Sequence, residues 1–348
     1  MQERHHRRRP LERPVRERLS SVLAELFDGE AGLRFGSDVA GIDAVARIHG
    51  RDLCLHVTPS SRPGAIDDAA TQLREVMESA DPIADVAVVV PYMTRAGMQT
   101  ARERGLDWID LAGNAQLFGE HYYVHVRGRP DVMRPRGRPS SPFAPKSSRV
   151  SRALLLDPSR WWRQSDLAAS TGLDDSLVSR VVRRLDEERL LERDGRRLRP
   201  RDPDLLLDAW DDDYDFAQHE IVPGHLSGSS TALTEQLHVR LHDVGIEHAF
   251  TGLPAAWLID EYARFRLCSV YVHGDPHSAA DAIGLRQNER GANVQLVAPN
   301  DEGVFAGGAL RQRIPCVAPV QVYLDLRHLP ERAEDAATQL RGRLWRRG

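Results

Sequence analysis

In GRDLCLHVTP, residues 50–59, two polar side chains, His56 and Thr58, stand two apart on an apolar, strand-like run entered through a turn at Gly50. A metal-dependent nuclease strand carries a Glu or Asp two residues before a Lys at such a place, with a further acid on the preceding strand. The carboxylates hold a divalent ion and the lysine stabilises charge on the phosphate. Asp43, in GIDAVARI, stands where the first carboxylate would be. His56 and Thr58 supply neither a hard anionic ligand nor a permanent cation, and the only lysine in the chain is Lys146. The pattern is that of a nuclease strand without its catalytic pair.

Two further clusters invite a metal reading. LDWIDLAGNAQLF, residues 106–118, holds Asp107, Asp110 and Asn114. A strand followed by an AGN turn uses such side chains to bond the local backbone, so a structural role is expected in preference to a cation site. His238 and His242 lie four apart on one helical pattern, but no HExxH and no cysteine cluster supplies the further ligands a zinc site needs. No metal and no cofactor are expected. Cys54, Cys268 and Cys316 are widely spaced in apolar runs and form no CxxC, which implies buried thiols and a reducing compartment.

The basic residues offer a different chemistry. Residues 127–163 carry ten Arg or Lys against Asp131 and Asp157 alone, although the whole chain has a net charge of -4. Within and beyond this stretch the pattern reads helix, helix, turn, helix: SRVSRALLLDP, then SDLAAST, a break at Gly172, and a longer helix over 174–188. LLERDGRRLRP follows as a two-stranded ribbon turning at Asp194-Gly195. On the longer helix Leu177, Val178, Val181 and Leu185 mark one face, leaving Ser176, Ser179, Arg180, Arg183 and Arg184 on the other. Arginine can pair bidentately with guanine, and serines near a helix start can meet phosphate or base edges. Glycine turn, helix lengths and basic wing come in the order of a winged helix-turn-helix. Ser176, Ser179, Arg180 and Arg183 are thus expected in the major groove, with Arg193, Arg196 and Arg197 of the wing, and Lys146 and Arg149 of the basic entry, on phosphates.

These residues need elements to position them. Length predicts two or three domains. Residues 1–18 read as a basic arm and 19–130 as strands punctuated by helices, an α/β layer. A basic linker covers 131–147, the helix-turn-helix 148–205 and an acidic spacer 206–225. A second α/β unit covers 226–348. No apolar run is long enough for a membrane span and the N-terminus lacks a secretory pattern, so a cytoplasmic, nucleoid-associated protein without a membrane partner is expected.

Taken together, VVVPYMTRAGMQTARERGLDWIDLAGNAQLF, the SxxSRVVRRLxEExLL helix, FTGLPAAWLID, RGANVQLVAPNDEGVF and APVQVYLDL resemble the bacterial AbiEi-family regulators of type IV toxin-antitoxin systems. The resemblance covers most of the chain and is most specific in DLAGNA and VQVYLDL. It implies a winged-helix DNA-binding unit and a C-terminal region similar to a nucleotidyltransferase fold; the first unit additionally resembles a restriction-endonuclease domain. A working nucleotidyltransferase has a Gly-Ser turn and two carboxylates alternating on the next strand. Here Gly252-Leu253 occupies the turn, and Ser269, Tyr271 and His273 the strand, with Asp275 beyond it. Both enzyme-like regions thus lack their motifs, and a non-enzymatic, sequence-specific regulator of antitoxin or autorepressor type is expected. Its partners would be double-stranded DNA, a second copy and a cognate toxin. Two other readings stay open: a metal-dependent nuclease or nucleotidyltransferase with a non-standard site, and a DNA-damage or phage-defence sensor binding single-stranded or broken DNA.

Overall fold

The computed structural model describes residues 11–345 apart from 38, 40, 80–84, 131–140, 229, 261–264, 289 and 331–332, and omits the side chains of 75–79, 230 and 231. Most of the expected basic arm and linker therefore lies outside the described residues. The chain is a multidomain α/β protein with two mixed seven-stranded sheets and, among the described residues, twelve α-helices. It forms two compact units, residues 1–139 with 187–190, and residues 140–186 with 191–348.

The first unit begins with α1 (Arg13–Leu26), which has Pro14 in its first turn, where a missing N–H costs nothing. Then come β1 (Gly32–Phe35), β2 (Ala44–Ile48), β3 (Arg51–Val57), α2 (Pro63–Ser79), β4 (Asp85–Val90), α3 (Arg95–Arg104), β5 (Asp107–Asp110), β6 (Ala115–Phe118) and β7 (Tyr123–Val126). The strands lie in chain order across the sheet. β3, β4 and β5 pair in parallel because α2 and α3 carry the chain back between them; the other pairs are antiparallel. Side-chain alternation splits β4 between two cores. Ala87 and Val89 join Leu19 and Leu23 of α1, while Val88 and Val90 join Ile66 and Leu73 of α2 and Trp108. The boundary expected at residue 18 is not one. Arg18 lies inside α1, its Nε donating to the Leu111 carbonyl at 2.7 Å.

The second unit opens with α4 (Ser148–Leu156), α5 (Gln164–Thr171), α6 (Asp175–Glu187), β8 (Leu191–Asp194) and β9 (Arg197–Pro200). It continues through α7 (Pro203–Asp211), β10 (Glu220–His225), α8 (Ser230–Asp243), β11 (His248–Thr251), α9 (Gly252–Asp260), β12 (Cys268–Val272) and α10 (Pro276–Ala282). β13 (Arg286–Gln287), β14 (Val294–Ala298), β15 (Ala309–Arg311), β16 (Ile314–Cys316), α11 (Pro319–Leu326) and α12 (Ala333–Arg341) complete it. Its large sheet has the order β13-β10-β14-β12-β11-β16-β15, with β12/β14 and β11/β16 parallel.

Two expectations are corrected here. Residues 206–225 are no spacer: Leu206, Leu207 and Trp210 of α7 are buried, and β10 lies inside the sheet between β13 and β14. The acidic residues of α7 are drawn into the unit by arginines from the end of the chain: Asp204 and Asp208 pair with Arg341, and the buried Asp211 with Arg327. For the same reason the helix-turn-helix stretch and the C-terminal sheet form one unit rather than two.

Candidate nucleic-acid interface

The three helices α4, α5 and α6 are set by local signals. Gly172 ends α5 in the left-handed conformation at φ 66°, a turn that a Cβ would strain. Asp174 then starts α6, its carboxylate accepting the Leu177 N–H at 2.8 Å. Val178, Val181, Val182 and Leu185 are buried along one side of α6. The β8/β9 ribbon turns at Gly195, φ 57°, and Trp162 adds a bridge to it, exchanging two backbone hydrogen bonds of 2.8 Å with Leu198. Burial of Trp162 and Leu198 fixes the ribbon against the helices.

The face opposite the core is basic. Ser179, Arg180, Arg183, Arg196, Arg197 and Lys146 are exposed. Among the described residues no ion pair engages Arg183, Arg196 or Arg197. Ser176 is exposed but donates its hydroxyl to Asp174, and Arg184 is half-buried. Arg193 is held by Asp186, its Nε 3.0 Å from the carboxylate. Arg149 departs from expectation most clearly. Its Nε and Nη2 meet Asp301 at 2.7 and 2.9 Å, and Nη1 donates to the Thr171 carbonyl at 3.3 Å. An arginine spent in this bidentate pair is a brace within the second unit rather than a phosphate contact.

Sequence reasoning missed the start of α5. Arg163, Gln164 and Ser165 line one groove together with Arg193, Asp194, Gly195, Arg196 and Arg197 of the ribbon. The available signal was the RWWRQS stretch. Arg160 lies over the Trp162 ring at 3.8 Å and Arg199 over Trp161 at 4.4 Å, so these tryptophans carry cations beside the groove.

The chain matches no family model, no curated protein and no solved structure.

The nuclease-like positions of the first unit do come together. Asp43 Oδ2 accepts the Val57 N–H at 2.8 Å and lies 3.7 Å from His56 Nδ1, which donates to the Gly41 carbonyl at 2.7 Å. Thr58 is buried and donates its N–H to Val89. Asp43 is thus used to tie the entry of β2 to the end of β3. Asp110 and Asn114 serve their own turn: the Asp110 carboxylate accepts Met93 N–H, Asn114 N–H and Asn114 Nδ2 at 2.8–3.1 Å. Asp107 accepts the Phe118 N–H at 2.7 Å, and burial pushes its carboxyl up to about 6. Among the described residues no three His, Cys, Asp or Glu side chains are arranged to hold a metal ion.

The nucleotidyltransferase-like positions of the second unit are filled. Gly252 begins α9 at φ 60°, and the space beside it is taken by Leu329, 2.5 Å from where a Cβ would stand; Leu253 is buried. Ser269 and Tyr271 are fully buried on β12. Ser269 donates to Gln295 at 3.2 Å, and the Tyr271 hydroxyl lies 3.2 Å from Asp325. Asp325 of α11 is also met by Thr251, by Tyr214 and by Gln321 Nε2. Burial still raises its carboxyl to about 6 against these four donors. Asp275 caps α10, accepting His277 and Ser278 N–H groups at 3.2 and 2.9 Å. His238 and His242 stand beside His248, with His238 Nδ1 2.8 Å from His248 Nε2, and burial lowers the pKa of both partners. The three cysteines are free; Cys54 is half-buried while Cys268 and Cys316 are buried, their thiols pushed up to about 12 by burial.

Proposed function

We propose that the chain is a sequence-specific DNA-binding regulator, of the AbiEi antitoxin or autorepressor type that its sequence resembles, and that α4 to β9 form its winged helix. The observation that carries the reading is the division of α6: a buried apolar side, and an opposite side on which Arg180 and Arg183 face solvent beside the exposed wing arginines Arg196 and Arg197. In this reading α6 enters the major groove, Ser179, Arg180 and Arg183 meet base edges, and Arg163, Arg196 and Arg197 position the phosphates. Arg149 plays no direct part, because Asp301 already holds it, whereas Arg193, exposed and only in a surface pair with Asp186, stays among the groove's phosphate contacts. Paired half-sites would be read by a homodimer. A toxin partner and association with the nucleoid belong to the same proposal.

The enzyme-like regions support this reading through what replaces their chemistry. Asp43 is committed to a backbone N–H, and the second sheet carries Ser269 and Tyr271 where carboxylates would alternate. Selection from a pool of random duplexes tests the proposal without knowledge of the operator. Enrichment of one motif, with two-fold related halves, is the expected result. A pool that stays random through repeated rounds would remove base readout.

A further inference from the structure

Helix α8 and strand β11 bring three histidines to one groove of the second unit. Gly245, left-handed at φ 73°, closes α8: its N–H donates to the His242 carbonyl and the Ile246 N–H to the Leu241 carbonyl, both at 2.9 Å. The chain therefore doubles back, and His248 at the start of β11 lies against the helix, its ring centre 5.1 Å from that of His238. His242, one turn beyond His238 on the same helix face, has its ring centre 6.0 Å away. All three line an open groove of about 590 Å³, which has room for a hydrated ion.

The hydrogen bonds fix which nitrogen of His238 is free. A carbonyl can only accept, so His248 donates from Nδ1 to Ile246 at 2.8 Å and, when neutral, keeps a lone pair on Nε2. That lone pair takes the Nδ1 proton of His238, again at 2.8 Å, which leaves the lone pair of His238 on its own Nε2. Among the described residues neither this Nε2 nor either ring nitrogen of His242 has a hydrogen-bond partner. Burial lowers the pKa of His238 and His248, which favours the neutral rings. A histidine whose one nitrogen donates to the protein while the other stays bare is held as metal-binding histidines are held.

Two bare imidazoles four residues apart suit a divalent transition ion rather than Ca²⁺ or Mg²⁺, which take oxygen ligands. The charged side chains of the groove, Glu247 and Arg313, are of opposite sign. Among the described residues no third His, Cys, Asp or Glu is arranged with the pair, so water completes the coordination. With only two protein ligands, the ion that binds nitrogen most tightly is favoured, and in the first-row series that is copper(II). We propose that Nε2 of His238 and an imidazole nitrogen of His242 bind a divalent transition-metal ion, copper(II) ahead of nickel(II) and zinc(II). His248 is the positioning residue that sets the ring and tautomer of His238. This site is independent of the DNA reading.

Copper(II) titration of the full chain at neutral pH, followed by calorimetry and electron paramagnetic resonance, tests the proposal. The sequence holds another histidine pair, His5-His6, so the titration is run on the chain carrying His5→Ala and His6→Ala beside the parent. One copper per chain is expected in that variant, with the splitting pattern of two ligating nitrogens. Adding His242→Ala, at an exposed position, should weaken binding at least about tenfold and leave one nitrogen. Adding His248→Leu instead should keep both nitrogens while weakening binding about tenfold. Nickel(II) and zinc(II) should compete only at higher concentration. No copper bound at micromolar concentration once His5 and His6 are replaced would overturn the proposal, as would an affinity and nitrogen count left unchanged by His242→Ala. Unchanged affinity in His248→Leu would strike its positioning role.

Discussion

Helix α4 turns Arg149 and Arg152 inward, one to Asp301 and the other to the Trp210 ring, whereas α6 and the ribbon after it turn Arg180, Arg183, Arg196 and Arg197 to solvent. The side chain is the same and the local sequences are similar: SRVSRALLL in one, DSLVSRVVRRLDE in the other. What separates them is a carboxylate and an aromatic ring contributed from far along the chain. Charge in a basic stretch therefore does not by itself mark a nucleic-acid surface; a cation counts toward one only when no largely buried acid of the fold has claimed it.

The comparison is broken most forcefully at Arg149. Arg149→Ala should lower unfolding stability by about 3 kcal/mol, since it leaves Asp301, a largely buried carboxylate, without its partner. Chemical denaturation reads this, and the ratio of affinities for specific and random duplexes should stay unchanged. Arg183→Ala should do the reverse: stability within about 0.5 kcal/mol of the parent, and specific affinity reduced by about 1–3 kcal/mol in fluorescence anisotropy.

A subtler effect concerns the acid at the heart of the second sheet. Asp325 has a folded-state pKa raised to about 6 from 3.8, so the folded state holds its proton more tightly and stability falls as pH rises through that window. His219 is lowered to about 4 from 6.5; the unfolded chain takes its proton first, and stability rises with pH over much of the same range. The two slopes oppose one another. Asp325→Asn removes the first, so stability of the variant should climb more steeply between about pH 4 and 6 than that of the parent, by up to about 1.4 kcal/mol per pH unit. Urea melts across that range check it; parallel pH curves would deny Asp325 its raised pKa. The smallest change expected is at the wing, where Arg197→Ala should weaken all duplexes alike and reduce the salt slope by about 1.

Much of the arrangement was legible in the sequence because it is local. The apolar spacing of Val178, Val181 and Leu185 marks the buried side of α6, Gly172 its approach, and Asp194-Gly195 the ribbon turn. The strands of the first unit announce themselves through runs such as VAVVV. What escaped is long-range. Nothing near Arg149 reveals Asp301, 152 residues away, and nothing near Asp325 reveals Thr251, Tyr214 or Tyr271. Strand β10 was hidden because its acidic prelude, DDDYD, reads as spacer, and its pairing with β14 is invisible to periodicity. Asp43 and His56 were legible as a pair of positions, yet their use in joining β2 to β3 depends on a backbone N–H that no pattern of side chains can show.

The most direct test of the central claim is a salt titration of binding to the DNA upstream of the chain's own gene, beside a scrambled duplex of equal length. Base readout by α6 predicts a preference that persists as salt rises, while the affinity for both duplexes declines. Two curves that fall together with no preference at any salt concentration would reduce Arg180 and Arg183 to an electrostatic surface and contradict the account.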